Sequence, residues 1–168
     1  MKFRRIEAVF MKQIKDTLKN KTALIQFVLF PLLAFILTET IAKSDKFLPD
    51  NYFVLLFSIM YVGMVPAINT ASIITEEKEK NTLRILMLAN VRPLEYLIGV
   101  GSYVFIVSSI GAVAFGFIGG YSGAQLGLFI IVLMVGILGS LILGSTIGIF
   151  AKNSMSSAGL VLPVSMIT

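Results

Sequence analysis

The chain predicts an all-α integral membrane protein, with an N-terminal amphipathic interfacial helix followed by a multi-span helical bundle. Three observations predict it. Hydrophobic residues make up 57% of the 168 positions and charged residues only 14%, against roughly 25% charged in a soluble domain. The charges are segregated: none falls in 22–38, 51–75, 96–151 or 153–168. Half of the fourteen basic residues stand in the first 21 positions, beside the first apolar run. A helix needs about 20 apolar residues to cross a bilayer, and the run 96–151 is long enough for two.

Residues 1–21 carry the first element. From Lys2 to Lys19, Phe3, Ile6, Phe10, Met11, Ile14 and Leu18 share one side of a helix, with Glu7 at its edge. Arg4, Arg5, Lys12, Lys15 and Lys19 cover the other side. Such a helix lies in the interface plane, cations on anionic headgroups and apolar residues in the acyl boundary. Phe10 and Ile14 are expected there. The net charge of +5 is therefore assigned to phospholipid rather than nucleic acid.

The remainder, 22–168, reads as a transmembrane domain. Spans are expected at about 22–42, 52–75, 94–119 and 126–150. A fifth apolar run, 159–168, is too short to cross and reads as an incomplete span. With the N-terminus inside, the inner segments hold twelve basic residues and the outer loops hold Lys43 and Lys46. The positive-inside rule then puts 1–21 and the loop 76–95 in the cytoplasm, and 43–51 and 120–125 outside. A cleaved signal peptide fits poorly, because both the charged region and the first apolar run are too long for one.

The loop 76–95 is the most informative stretch. Glu76, Glu77, Glu79 and Glu95 balance Lys78, Lys80, Arg84 and Arg92. Its middle is apolar: after Asn81-Thr82, a helix start able to cap free N–H groups, come Leu83, Ile85, Leu86, Met87 and Leu88. Asn90 can close the helix in the left-handed conformation, and Pro93 suits the first turn of the next. A helix this short, with Arg84 as its one charge, is marginal alone in water. Its apolar residues surround most of the cylinder, so it requires a protein groove.

Small residues recur every fourth position as Ser108, Ala112, Gly116 and Gly120, and as Gly136, Ser140, Gly144 and Gly148. Such stripes let helix backbones approach closely, as static packing or as a sliding surface. The short connection 119–125 makes the third and fourth spans antiparallel neighbours. Asn69, Ser72 and Thr75 descend one face of the second span together with Pro66, either lining a pathway or bonding helices together. Glu39, the one acidic residue within a span, lies near the outer end, where it can reach water and Lys43. Cysteine and histidine are absent from the chain, and no phosphate-binding Gly-Lys loop occurs.

The order of these elements resembles a permease subunit of the type-2 ATP-binding-cassette exporters. The residues that carry the resemblance are Glu76 to Lys80, then Thr82, then Leu83, Leu86 and Leu88, and finally Gly99. The chain departs from the family pattern at Asn81 (usually glycine), Asn90 (usually proline) and Val100 (usually lysine). The resemblance implies six spans per permease and an N-terminal connecting helix along the inner surface. It makes 76–95 the coupling loop for a separate ATPase subunit. Glu76, Glu77, Glu79, Thr82, Leu83, Arg84, Leu86, Met87 and Leu88 are the expected ATPase contacts. It also implies pairing with a second permease copy, as a homo- or heterodimer. ATP and magnesium would sit on the ATPase, so this chain would hold no cofactor, metal or catalytic residue. The transported substrate (drug, peptide, lipid-linked glycan or ion) is not legible. Two other classes stay open: a non-transporting interaction or immunity subunit, which could use the same loop, and a secondary transporter. The second would place paired ionisable residues near the bilayer midplane.

Overall fold

The computed structural model describes residues 3–19, 21–42, 49–151, 159 and 161. Helix α1 spans Phe3–Lys19, and α2 spans Lys21–Leu37 and runs on as a π-helical turn, Thr38–Ala42. Then follow α3 (Tyr52–Glu79), α4 (Thr82–Leu88), α5 (Pro93–Ile118) and α6 (Gly123–Phe150). Gly159 and Val161 are also helical, and the rest of the expected fifth run lies outside the described residues, as do Lys43 and Lys46. Among the described residues, four helices are long and apolar enough to cross a membrane: Ile25–Ala42, α3, α5 and α6. The protein is an all-α membrane bundle, as its charge segregation predicts. Helix α3 continues past the expected Thr75 to Glu79, so the first charges of the loop are still helical.

Pro31 lies inside α2 and Pro66 inside α3. A membrane helix tolerates this because its neighbours satisfy the freed backbone groups. Ile25, Val28, Leu32 and Phe35 of α2 and Leu128, Val132, Val135 and Ile142 of α6 point away from the bundle, which is the arrangement lipid as solvent requires.

Tyr61 of α3 is the centre of the core. Its ring meets Phe30 of α2 and Phe115 of α5 edge-on, at centroid distances of 6.2 and 5.4 Å. Its hydroxyl donates to the Ser108 carbonyl at 3.2 Å. Gly111 makes room for it, since a Cβ there would lie 2.2 Å from the Tyr61 oxygen.

The two small-residue stripes do not face each other. The α6 stripe meets α3, which runs parallel to it. A Cβ on Gly144 would lie 2.5 Å from the Ala67 carbonyl oxygen, and one on Gly136 would lie 2.5 Å from Val62. Ser140 donates to the Val62 carbonyl at 2.6 Å. On α5, Ser108 and Ala112 are buried and Gly116 admits Leu126 of α6. The helices α5 and α6 are antiparallel neighbours, as their short connection requires. Gly120, at φ 66°, ends α5 with N–H bonds from Gly120 and Tyr121 back to the carbonyls of Phe117 and Gly116.

Helix α1 is amphipathic as expected, and its buried face packs on the bundle. Val9, Gln13 and Thr17 form its buried face, Phe10 and Ile14 lie half-buried against the core, and Met11 is exposed. Phe10 meets Tyr103 of α5 edge-on at 6.3 Å. Gly99 supplies the notch, because a Cβ there would come within 2.8 Å of Val9. Val9, Phe10 and Ile14 thus pack on the bundle, a protein contact that the interfacial reading did not foresee. The periodicity was legible, but an apolar stripe does not say whether lipid or protein covers it.

Candidate docking site at the α3–α4–α5 turn

One end of the bundle gathers α1, the last turn of α3, α4, the first turn of α5 and the last turn of α6. Two left-handed asparagines shape it. Asn81 (φ 55°) follows Lys80, the residue that caps α3, and opens α4, with its N–H on the Lys78 carbonyl. It makes no side-chain cap, so it serves as a bend where glycine would also fit rather than as the capping residue expected. Asn90 (φ 62°) ends α4 as expected, with N–H bonds from Asn90 and Val91 to the carbonyls of Met87 and Leu86. Together the two bonds make a left-handed helix stop, and Leu86 and Val91, at the ends of the longer bond, both pack against the core.

Helix α4 has no buried residue. Leu83 and Leu86 are turned inward and half-buried against the core of this same chain, together with Val91. Met87 and Thr82 are half-buried. Ile85 and Leu88 face outward, 63% and 78% exposed, with Arg84 exposed beside them. Two outward apolar side chains on a seven-residue helix at a bundle end are a feature that water does not favour. Nothing in the sequence pattern separated the inward leucines from the outward residues, because the apolar run is nearly continuous around the helix.

The loop's charges are mostly spent inside the chain. Glu77 is buried at the foot of α3, where Lys12 of α1 pairs with it and Gln13 donates to the same oxygen at 2.6 Å. Glu95 is buried at the head of α5, 3.5 Å from the Arg5 guanidinium. It also accepts the Arg92 backbone N–H at 3.2 Å, the returning half of a capping box. The two acids that bracket α4 are therefore both clamped by α1. Lys78, next to Glu77, reaches the opposite way. Its ammonium donates to the carbonyls of Ile149 (2.6 Å) and Ala151 (2.8 Å), closing the C-terminus of α6, where a cation also meets the helix dipole. Glu76 pairs with Lys80 one turn on, and that carboxylate holds the Lys80 ammonium above its ordinary range. Glu79 is exposed. Sequence reasoning found these residues but not their partners. The Pro93-Leu94-Glu95 start was a usable signal for Glu95, and Gln13 in the middle of an amphipathic helix was one for a buried polar partner.

Asn69, Ser72 and Thr75 separate in role. Asn69 donates to Gln26 of α2 at 3.2 Å and to the Val65 carbonyl at 2.9 Å, so it ties helices together. Thr75 turns back on the Ala71 carbonyl at 2.6 Å. Ser72 and Asn69 line a polar groove of about 790 Å³ between α1 and α3, with Asp16, Lys19 and Lys80 also on its walls. Glu39 is exposed on the π-helical turn, and its expected partner Lys43 lies outside the described residues. Among the described residues, no group of His, Cys, Asp or Glu could hold a metal.

A family model described as the ABC-2 type transporter matches residues 4–168. The chain belongs to that family. Nothing among curated proteins or solved structures matches it. An ABC-2 type transporter chain of this kind is a multi-pass membrane permease, a transmembrane component that is not itself catalytic. Membership implies an ATPase partner, and among the described residues Ile85 and Leu88 of the site above expose apolar surface outside the spanning helices.

Proposed function

We propose that the chain is the permease of an ATP-driven exporter and that α4 is the coupling helix onto which the ATPase docks. The observation that carries this is the outward pair Ile85 and Leu88 on a short helix whose other side is seated on the core. Arg84, Ile85 and Leu88 make the contact, with Met87 and Glu79 at its edge. Leu83, Leu86 and Thr82 set the seat, and Glu76, Glu77 and Glu95 hold the frame. ATP and magnesium bind the ATPase, and two permease copies with two ATPases enclose the pathway. Closure of the ATPases on ATP pushes α4. Its motion passes into α3 and α5 through the Asn81 and Asn90 turns, and into α1 through the clamped glutamates.

The test is a pair of double variants assayed with a candidate ATPase subunit co-expressed with this chain. Ile85→Ser with Leu88→Ser should abolish co-purification, because interface anchors commonly cost more than about 2 kcal/mol each, roughly thirtyfold in affinity. Membrane insertion should stay normal, since both side chains are mostly exposed. Full retention of the ATPase and of transport by that variant would remove α4 from the coupling role. Leu83→Ala with Leu86→Ala should instead lower the melting temperature of the permease itself.

The proposed orientation puts α1 and α4 in the cytoplasm and the α5–α6 turn outside. The chain has no cysteine, so single cysteines report without background. A cysteine at Ser122 should react with an impermeant maleimide in intact cells, and one at Asn90 should react only after permeabilisation. The reverse pattern would invert the topology.

A further inference from the structure

The groove of about 790 Å³ between α1 and α3 has walls that are polar except at Ile73. Along α3 it reaches from Lys80, past the helix end, to Asn69, roughly 16 Å deeper at about 1.5 Å per residue. The polar layer of one leaflet is only about 5–8 Å thick, so the polar walls run on into the hydrocarbon. Acyl chains satisfy no polar group, and walls of this kind require water or a polar ligand between them. The six charges on the walls cancel: Lys12, Lys19 and Lys80 against Asp16, Glu76 and Glu77. Two pairs close within the protein, Lys12 with Glu77 and Lys80 with Glu76. Asp16 keeps a 3.8 Å contact to a Lys12 ammonium that Glu77 already holds, and it stays exposed. After Glu76, Asp16 is among the charges that hold the Lys80 ammonium above its ordinary range, so it faces α3 across the groove. Lys19 is exposed, and no ion pair holds it among the described residues. Residues three apart on a helix are neighbours, so α1 offers the groove one anion beside one cation.

We propose that this groove is a binding site for a phospholipid with a phosphoethanolamine headgroup. Lys19 takes the phosphate, Asp16 takes the primary ammonium, and Ser72 donates to an ester oxygen deeper in. Helix α2, tied to the groove wall by the bond from Asn69 to Gln26, exposes Ile25, Val28 and Leu32 for the acyl chains. A wall of zero net charge gives no advantage to an anionic headgroup, whereas adjacent charges of opposite sign suit a zwitterion. Among the described residues the lining holds no aromatic side chain, so it lacks the cage that a quaternary choline ammonium prefers. A primary ammonium has three N–H donors and bonds directly to a carboxylate. The site needs no ATPase and stands apart from the coupling reading of α4.

The experiment extracts the full chain in mild detergent from bilayers of equal parts phosphatidylethanolamine, phosphatidylcholine and phosphatidylglycerol, and measures the retained lipid by mass spectrometry. The parent should retain phosphatidylethanolamine over either competitor roughly tenfold, the order of a hydrogen bond to a charged group. Asp16→Asn and Lys19→Gln should each return the ratio to that of the bilayer. Lys15→Gln, on α1 but off the groove wall, should leave the enrichment unchanged. All three side chains are exposed, so the variants should melt like the parent. Retention by the parent at the bilayer ratio would mean that water fills the groove, and would overturn the proposal. Enrichment of phosphatidylglycerol would reduce the site to a general attraction of cations and equally overturn it. Persistence of the phosphatidylethanolamine enrichment in both Asp16→Asn and Lys19→Gln would place the lipid elsewhere. Displacement of the retained lipid by excess soluble phosphoethanolamine would assign the groove to the free zwitterion and refute the lipid.

Discussion

Lys12→Met should destabilise the permease by roughly 2–3 kcal/mol, and adding Glu77→Gln to it should restore most of the loss. Removing one partner of a buried ion pair typically costs about 3–5 kcal/mol, because the other charge is left buried without compensation. The lower figure applies here because the Lys12 side chain keeps 32% of its surface exposed, whereas Glu77 keeps 8%. Gln13 cannot substitute for the ammonium. It already donates to the same Glu77 oxygen, and the Tyr96 hydroxyl that also faces the carboxylate carries no charge. Converting Glu77 to Gln in the same chain removes the stranded charge and keeps an oxygen for Gln13, and replacing both members of a pair is often close to neutral. Thermal unfolding in nanodiscs of the parent, both single variants and the double variant closes the cycle. Additive effects of the two single changes in the double variant would mean that the pair contributes no coupling energy.

The same cycle bears on function. Glu77 is the last buried residue of α3 before the Asn81 bend, and Glu95 is the first of α5 after the Asn90 stop. Movement of α4 therefore has short paths into α1. A permease that keeps its ATPase but loses stimulated turnover in the Lys12→Met background would place the clamp in transmission rather than in docking.

The fold was legible where one physical rule governs it. Charge-free runs gave four spanning helices because hydrocarbon excludes charges, and Asn90 gave the end of α4 because few residues accept a left-handed turn. The site was legible only as a segment. Hydrophobicity could not divide Leu83 and Leu86 from Ile85 and Leu88, since the division depends on which side of α4 meets Val91 and the core. The balanced charges of the loop read as a solvated docking surface. Their sorting into buried acids and exposed arginines is tertiary: it follows from where α1 lies, and α1 was expected in lipid. The stripe on α6 showed close packing without showing its partner. Sequence neighbours suggested α5, while the tightest approach is to α3, because Ala67 and Ala71 present small side chains to Gly144 and Gly148.

That approach gives the other large effect expected. Gly144→Ala should destabilise the bundle by about 1–3 kcal/mol, whereas Gly139→Ala, five residues earlier on the same helix, should be neutral or slightly stabilising. At Gly144 the added Cβ would meet Ala67 backbone atoms at 2.5, 2.8 and 3.0 Å. Backbone cannot rotate away as a side chain can, so α3 and α6 must separate, and overpacking of a close-packed contact costs this much. Separation would also stretch the Ser140 bond to the Val62 carbonyl one turn away. At Gly139 nothing lies within 4 Å, and alanine gains up to about 1 kcal/mol of helix propensity over glycine. Unfolding of the two variants side by side therefore separates packing from propensity, and equal melting temperatures would show that α3 and α6 are not locked along this stripe. The contacts present favour static packing of the stripe over a sliding surface. Ser140 pins α6 to α3 at mid-height, and Lys78 pins it again at the carbonyls of Ile149 and Ala151. A sliding pair would have to break both sets of bonds in each cycle. Two helices fixed at two heights move as one body, so a push on α4 that reaches the foot of α3 carries α6 with it.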